Sequence, residues 1–307
     1  MKKTTAKSKR GKYLYYYLFM LPGLLYLLIN NYIPMIGIFI AFKKLNYTTG
    51  IFASDWVGFD NFQYLFRTRD AFIITRNTVL YNLVFIFLYT ILGIIIAIFL
   101  SEMRRKRLAR LYQSVLLLPN LVSMVIVSYL AFAFLSSENG LLNNAILPML
   151  GMAEISWYGT PGPWPVILTI VSCWCYTGVE VIIYMSVIVG IDRSLYESAE
   201  IDGAGKWRQI TSITLPMLKP TIIILQLMFI GRIFHSDFGL FYLIPMNSGM
   251  LYNVTSTLDT YVYTSLVRLQ NIPMASAAGL YQSFVGFVLV ICANLAVRKL
   301  EPDSALF

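Results

Sequence analysis

Arg193-Ser-Leu-Tyr-Glu-Ser-Ala-Glu-Ile-Asp-Gly-Ala-Gly-Lys-Trp-Arg-Gln-Ile-Thr-Ser-Ile-Thr-Leu-Pro216 separates two long apolar runs, and its reading decides the fold. It is too polar to cross a bilayer and too patterned for an idle loop. Ser194 followed by Glu197 fits a capping box, which predicts a short helix with small Ala199 narrowing one face. Gly203 then permits a turn that a residue with a Cβ resists. Trp207, Ile210, Ile213 and Leu215 recur at helical spacing and predict a second short helix, before Pro216 opens the next apolar run. A compact two-helix knob is expected, shaped to enter a cleft of another protein.

The rest of the chain is what such a knob would project from. Of 307 residues, 58% are apolar and only 13% charged, against about 25% charged in an ordinary soluble domain. So few charges could not cover a soluble protein of this size, and a large soluble α/β enzyme or a disordered chain is excluded. Six charge-poor stretches reach the roughly 20 residues that a bilayer crossing needs. They run over about 14–41, 79–100, 112–135, 165–190, 216–235 and 276–297, giving an all-α integral membrane protein whose transmembrane domain covers 14–298. A basic tail, 1–13, and a short tail, 299–307, flank it, and the polar loop 193–216 sits between the fourth and fifth spans.

Charge orients the bundle. With both termini on the cytoplasmic side, inner segments carry 17 Lys and Arg and outer loops six, while acidic residues divide evenly. The positive-inside rule then places both termini in the cytoplasm, and the net charge of +9 becomes a property of that face rather than a nucleic-acid patch. The tail MKKTTAKSKRGK reads as a flexible segment drawn to lipid headgroups. No small-residue cleavage site follows the first apolar run, so it reads as a retained anchor near the start of the mature chain. Cys173, Cys175 and Cys292 lie in apolar stretches and suggest neither a disulfide framework nor a zinc site.

The knob resembles the cytoplasmic coupling motif of binding-protein-dependent ABC importer permeases: Glu-Ala-Ala, two residues, Asp-Gly-Ala, five residues, Phe, two residues, Ile, one residue, Leu-Pro. Glu197, Ala199, Asp202, Gly203, Ala204, Ile213, Leu215 and Pro216 match it in identity and spacing. Ser198 replaces the middle Ala, and Ile210 stands at the Phe position. Further stretches resemble the oligosaccharide and polysaccharide branch of the sugar permeases: Tyr32-Ile-Pro-Met-Ile-Gly-Ile-Phe-Ile-Ala-Phe-Lys43, Trp56-Val-Gly-Phe-Asp-Asn-Phe62, Asp237-Phe-Gly-Leu-Phe241 and Asp259-Thr-Tyr-Val-Tyr263. The resemblance implies a type I importer permease in a bacterial plasma membrane, paired with a second homologous permease. It also implies a cytoplasmic ATPase dimer gripped by the knob and an extracytoplasmic sugar-binding lipoprotein or periplasmic protein. ATP and magnesium belong to the ATPase: the nearest approach here to a phosphate-cradling loop, Gly203-Ala-Gly-Lys-Trp207, lacks both its spacing and its final hydroxyl. This chain itself is expected to bind no cofactor or metal.

Polar residues inside spans are costly enough to be site candidates. Tyr176, Thr177, Glu180 and Tyr184 fall on one stripe of the fourth span, which suits a sugar path or, for Glu180, a pairing with another helix. Arg232, His235 and Ser236 follow an i, i+3, i+4 pattern at the end of the fifth, with Asp237 next, and Arg232 is a possible partner of Glu180. Asn82, Asn120, Gln226, Gln282 and Asn294 read as interhelical hydrogen-bonding glue. An ion-coupled secondary transporter working without an ATPase is the alternative class. A membrane enzyme lacks support, since no nucleophile is paired with a base and there is a single histidine.

Overall fold

A computed structural model describes residues 7–301. The first helix, α1 (Lys7–Leu27), continues through a π turn at Leu28–Tyr32 and a 3₁₀ stretch to Phe42. Helix thus begins inside the segment expected to be a flexible tail; residues 1–6 lie outside the described part. The first part of the span Tyr15–Phe42, Tyr15 to Ile36, is exposed and leaves apolar surface to lipid or another membrane chain, while the 3₁₀ stretch packs on the bundle and buries Ala41.

A two-residue hairpin follows, with β1 (Lys43–Lys44) antiparallel to β2 (Asp55–Trp56). Lys43, counted by sequence among the outer charges, is buried there. Its ammonium donates to Ile51 O and Phe52 O at 3.1 and 2.7 Å and lies 5.1 Å from the centre of the Trp56 ring. Asn61 fastens the turn by donating to Ala41 O and Lys43 O.

The core is the seam between α2 (Arg69–Ser101) and the fourth span. Helix α2 starts well before the expected residue 79, capped by Thr68, whose hydroxyl accepts from the Ala71 N–H. Along it Tyr81, Phe85, Tyr89, Gly93 and Ala97 are buried at successive intervals of four, one ridge of a helix. The third span is not one helix. α3 (Lys106–Leu121) and α4 (Met124–Leu135) meet at 96°. Hydropathy missed the break because its few polar residues carry no charge and are averaged away among apolar neighbours: Pro119 ends one ladder, Val122 is extended, and the Ser123 hydroxyl caps the next helix on the Val125 N–H.

Helix α5 (Trp164–Gly190) carries the other half of the seam, burying Trp164, Leu168, Cys175, Val181 and Tyr184. Close backbone approach is built in with glycine. A Cβ on Gly93 would stand 2.9 Å from Glu180 Cβ, and one on Gly178 only 2.1 Å from Leu116 O of α3. Such small-residue contacts draw helices together where lipid offers no hydrophobic drive.

The knob comprises α6 (Arg193–Ile201), a turn, and α7 (Lys206–Gln209). Asp192, rather than Ser194, caps α6: its carboxylate accepts from the Ser194 N–H at 3.0 Å. Gly203 has φ +80°, as the expected turn requires. From Lys206 the chain runs as one long helix, through a π turn at Ile210–Thr214 into α8 (Leu215–Gly231), so Pro216 does not start a separate span. After α8 come an irregular segment, α9 (Leu258–Tyr263), and α10 (Ile272–Leu300), which returns to the knob end.

One device recurs. Pro34, Pro148 and Pro216 each stand two positions after a π turn, and the N–H of the preceding residue reaches back five places: Ile33 to Leu28, Leu147 to Leu142, Leu215 to Ile210. A proline ring clashes with the carbonyl four residues back and offers no donor. The wider π turn carries that carbonyl away, so the helix passes a proline without breaking.

We expect Gly178→Val to lower the thermal midpoint in detergent, costing roughly 2 kcal/mol or more by overpacking against backbone. Gly23→Val, where nothing lies within 4 Å, serves as the comparison and should melt like the wild type.

Candidate functional site

Helix α8 ends at Gly231, and Arg232–His235 form a turn rather than a helical stripe. Arg232, His235 and Ser236 therefore do not share one helix face. Unwinding frees carbonyls in the packed end of the bundle, where each needs a donor. The Asn82 amide nitrogen lies 3.0 Å from Ile233 O and 2.9 Å from His235 O, and Gln282 donates to Phe234 O at 2.8 Å.

The opposite side of the turn is held by a carboxylate. Asp259 Oδ2 accepts from the Ser236 N–H and hydroxyl at 2.6 and 2.9 Å and from Gln282 Nε2 at 3.1 Å, while His235 Nδ1 lies 3.7 Å from Oδ1. Burial by itself raises the Asp259 carboxyl, but the bonds from His235 and Ser236 outweigh it and leave it below the ordinary aspartate range. In the sequence Asp259 stands out only as part of a family-like stretch. Its partners lie on other elements, so no local spacing could mark it.

Asp237 links the turn to α5. Its Oδ2 accepts from the Tyr176 hydroxyl and its Oδ1 from the Leu240 N–H at 3.0 Å. Tyr89 stands beside this pair, hydrogen-bonded to Ser172 and in ring contact with Tyr176 and Phe229. Thr177, Glu180 and Tyr184 lie deeper on α5 and are buried against α2. None of Thr177 Oγ1, Glu180 Oε2 and Tyr184 Oη has a well-formed hydrogen bond. Arg232 is exposed and makes no ion pair with Glu180 among the described residues, so that suggested pairing is not formed. Of the glue candidates, Asn82 and Gln282 tie the turn and Gln226 bonds Thr90 on α2.

At the other end, the coupling residues share one structure. Glu197 and Ala199 lie on α6, Asp202, Gly203 and Ala204 in the turn, Ile213 in the π turn, and Leu215 and Pro216 at the start of α8. Tyr196 of α6 bonds Thr214 at 2.9 Å and Lys206 pairs with Glu102 of the α2 end at 3.3 Å, so the knob is tied to the bundle. Ile201 and Trp207 project from it 87% and 77% exposed.

The model of the family described as "binding-protein-dependent transport system inner membrane component" matches residues 89–304. This chain belongs to that family. It is a transport permease subunit of an ABC importer, which sets aside the carrier working alone. It is 34% identical over 300 residues to protein LplB of Bacillus subtilis, covering 97% of this chain and 92% of that one. The polygalacturonan/rhamnogalacturonan transport system permease protein YteP of the same species is 33% identical over 303 residues, with 99% and 93% covered. Among solved structures, a bacterial ABC transporter involved in the import of the acidic polysaccharide alginate superposes with a TM-score of 0.86 at 30% identity, over 96% of this permease and 98% of that chain.

Asp259→Asn tests the turn. Because the native carboxyl is depressed, its contribution is fully present above the ordinary value near 3.8 and is lost as pH falls through the lower native value. The wild-type melting midpoint should therefore drop in that acid window more steeply than that of Asp259→Asn, which should be less stable at neutral pH.

Proposed function

We propose that this permease carries oligosaccharides or polysaccharide fragments and forms half of the translocation path with a second homologous permease. The observation that carries the coupling part of this reading is the knob, a glycine-turned helix pair fixed to the bundle while Ile201 and Trp207 stand bare. Large apolar side chains exposed on a rigid projection suit a partner's cleft. That partner is a cytoplasmic ATPase, which binds ATP and magnesium; both termini of this chain lie on the same side. An extracytoplasmic binding protein delivers the saccharide at the other end. Nucleotide closure of the ATPase dimer moves the knob, the helices rock with it, and the path opens outward; hydrolysis resets it.

The saccharide part rests on the relatives' names and on the chemistry around α5. Tyr176, Asp237, Tyr89 and Phe229 bring aromatic rings and polar groups together, the mixture that sugar rings with apolar faces and hydroxyl edges require. Thr177, Glu180 and Tyr184 below them hold unsatisfied polar atoms in the α2–α5 seam, poised for hydroxyls when the seam opens. Arg232 and His235 lie in the unwound turn just before Asp237.

Two substitutions test the reading. Gly203→Asp forces a side chain into a left-handed position at about 1–2 kcal/mol, so the permease should remain in the membrane while uptake and substrate-stimulated ATP hydrolysis fall at least about tenfold; undiminished uptake would remove the coupling role. Glu180→Gln should alter transport rate or saccharide preference by roughly tenfold, about 1.4 kcal/mol, with assembly intact. Unchanged kinetics across substrates would make Glu180 a packing residue.

A further inference from the structure

We propose that a cleft at the end of the bundle opposite the knob is a subsite for one acidic sugar, a uronate ring whose carboxylate rests on Arg268. The proposal deepens the saccharide reading above and rests on it. The cleft encloses about 200 Å³ between the segment following the unwound turn and the residues around α9, room for a single ring rather than a chain. Its wall is hydroxyls, amides and aromatic rings, among them Tyr242, Asn247, Ser248, Tyr252 and Thr264, with Arg268 completing it.

Arg268 decides the ligand. Its Nη2 donates to the Tyr242 hydroxyl at 3.2 Å, and with the Asn247 amide turned so that its oxygen faces the guanidinium, as the donors around it require, Nη2 and Nη1 lie 2.6 and 3.1 Å from that oxygen. Both acceptors are neutral. Among the described residues no carboxylate lies within ion-pair distance of this exposed guanidinium. A planar cation held by neutral groups and the Tyr242 ring 6.0 Å away, with no carboxylate to answer it, is a receptor for a planar anion.

Two further observations converge on the cleft. Met246, Asn247 and Gln270 adopt φ of 53°, 48° and 50°, the non-glycine residues in left-handed backbone among those described; Asn247 lines the cleft, Met246 precedes Asn247 in the chain, and Gln270 lies two residues after Arg268. Such backbone is strained for residues with a Cβ and persists where the surroundings over-determine it, commonly at ligand clamps. The Tyr47 hydroxyl donates to Gln270 O at 2.8 Å and helps hold that turn. Tyr261 adds a buried aromatic ring to the wall, 8% exposed and stacked on Tyr64.

A carboxylate could also come from a docked protein, so the test separates ring from charge. Saturation-transfer NMR on the assembled transporter in nanodiscs, without nucleotide, compares galacturonate, galactose and acetate as probes. Galacturonate is expected to bind at least about tenfold more tightly than galactose, which lacks the charge-assisted bonds, and more tightly than acetate, which lacks the ring. Arg268→Gln should reduce galacturonate to the level of galactose, while Arg67→Gln leaves it unchanged. Asn247→Asp, nearly isosteric, should abolish the preference by answering the guanidinium with its own carboxylate. It decides the matter should Arg268→Gln melt early. Absence of galacturonate binding, equal binding of galactose, or indifference to both cleft variants would overturn the subsite. Acetate binding as well as galacturonate would overturn the sugar and leave a protein carboxylate. Loss of the subsite with neutral oligosaccharide uptake intact would leave the broader saccharide reading standing.

Discussion

A carbonyl group removed from water must find a donor, and this demand shapes the end of the bundle opposite the knob. Helix α8 stops at Gly231, leaving the carbonyls of Ile233, Phe234 and His235 without helical partners. Amides from α2 and α10 answer all three, and the Asp259 carboxylate answers the N–H side of the same turn. Each orphaned group would cost on the order of 1–3 kcal/mol, so the turn, α2, α9 and α10 are held as one unit. Asp237, fixed next to this turn, is thereby positioned to receive the Tyr176 hydroxyl from α5.

The two ends of the molecule divide the work that this bracing permits. At one end polar side chains are spent on irregular backbone, which can then present Tyr242, Asn247 and Arg268 around a cleft. At the other a glycine turn folds two helices together, and exposed Ile201 and Trp207 offer apolar surface. Between them the α2–α5 seam is closed by aromatic and aliphatic side chains, with Gly93 letting Glu180 and Tyr184 lie close against α2. A permease that rocks needs such a seam, because packed helices slide or separate as units rather than deform continuously.

Much of this was legible in the sequence, and the exceptions have physical causes. Apolar run length announced the long helices, since the bilayer dictates it, and the spacing around Gly203 announced the knob. The bend between α3 and α4 escaped because a window of hydropathy is blind to a cap: Ser123 weighs little in an apolar average but stops the ladder. The end of α8 escaped because apolar Ile233 and Phe234 prolong the run past the last helical residue, and Arg232 was projected onto a helix that has already unwound. Lys43 was counted as a surface charge although carbonyls and an indole ring enclose it. Asp259 was invisible as a site because its partners, Ser236 and Gln282, stand on elements that only the folded chain brings together.

The π turn at 210–214 does more than let the chain pass Pro216. An α-helix advances about 100° per residue, so the extra residue in that turn sets the azimuth of everything on one side relative to everything on the other. Ile201 and Trp207 lie before it, Gln226 and Phe229 after it. Deleting one residue there would leave hydropathy, motif composition and helix length almost untouched, yet it would swing the bare face of the knob by more than a quarter turn against the bundle. The phase between docking face and transport helices is thus encoded in a single residue of helical register.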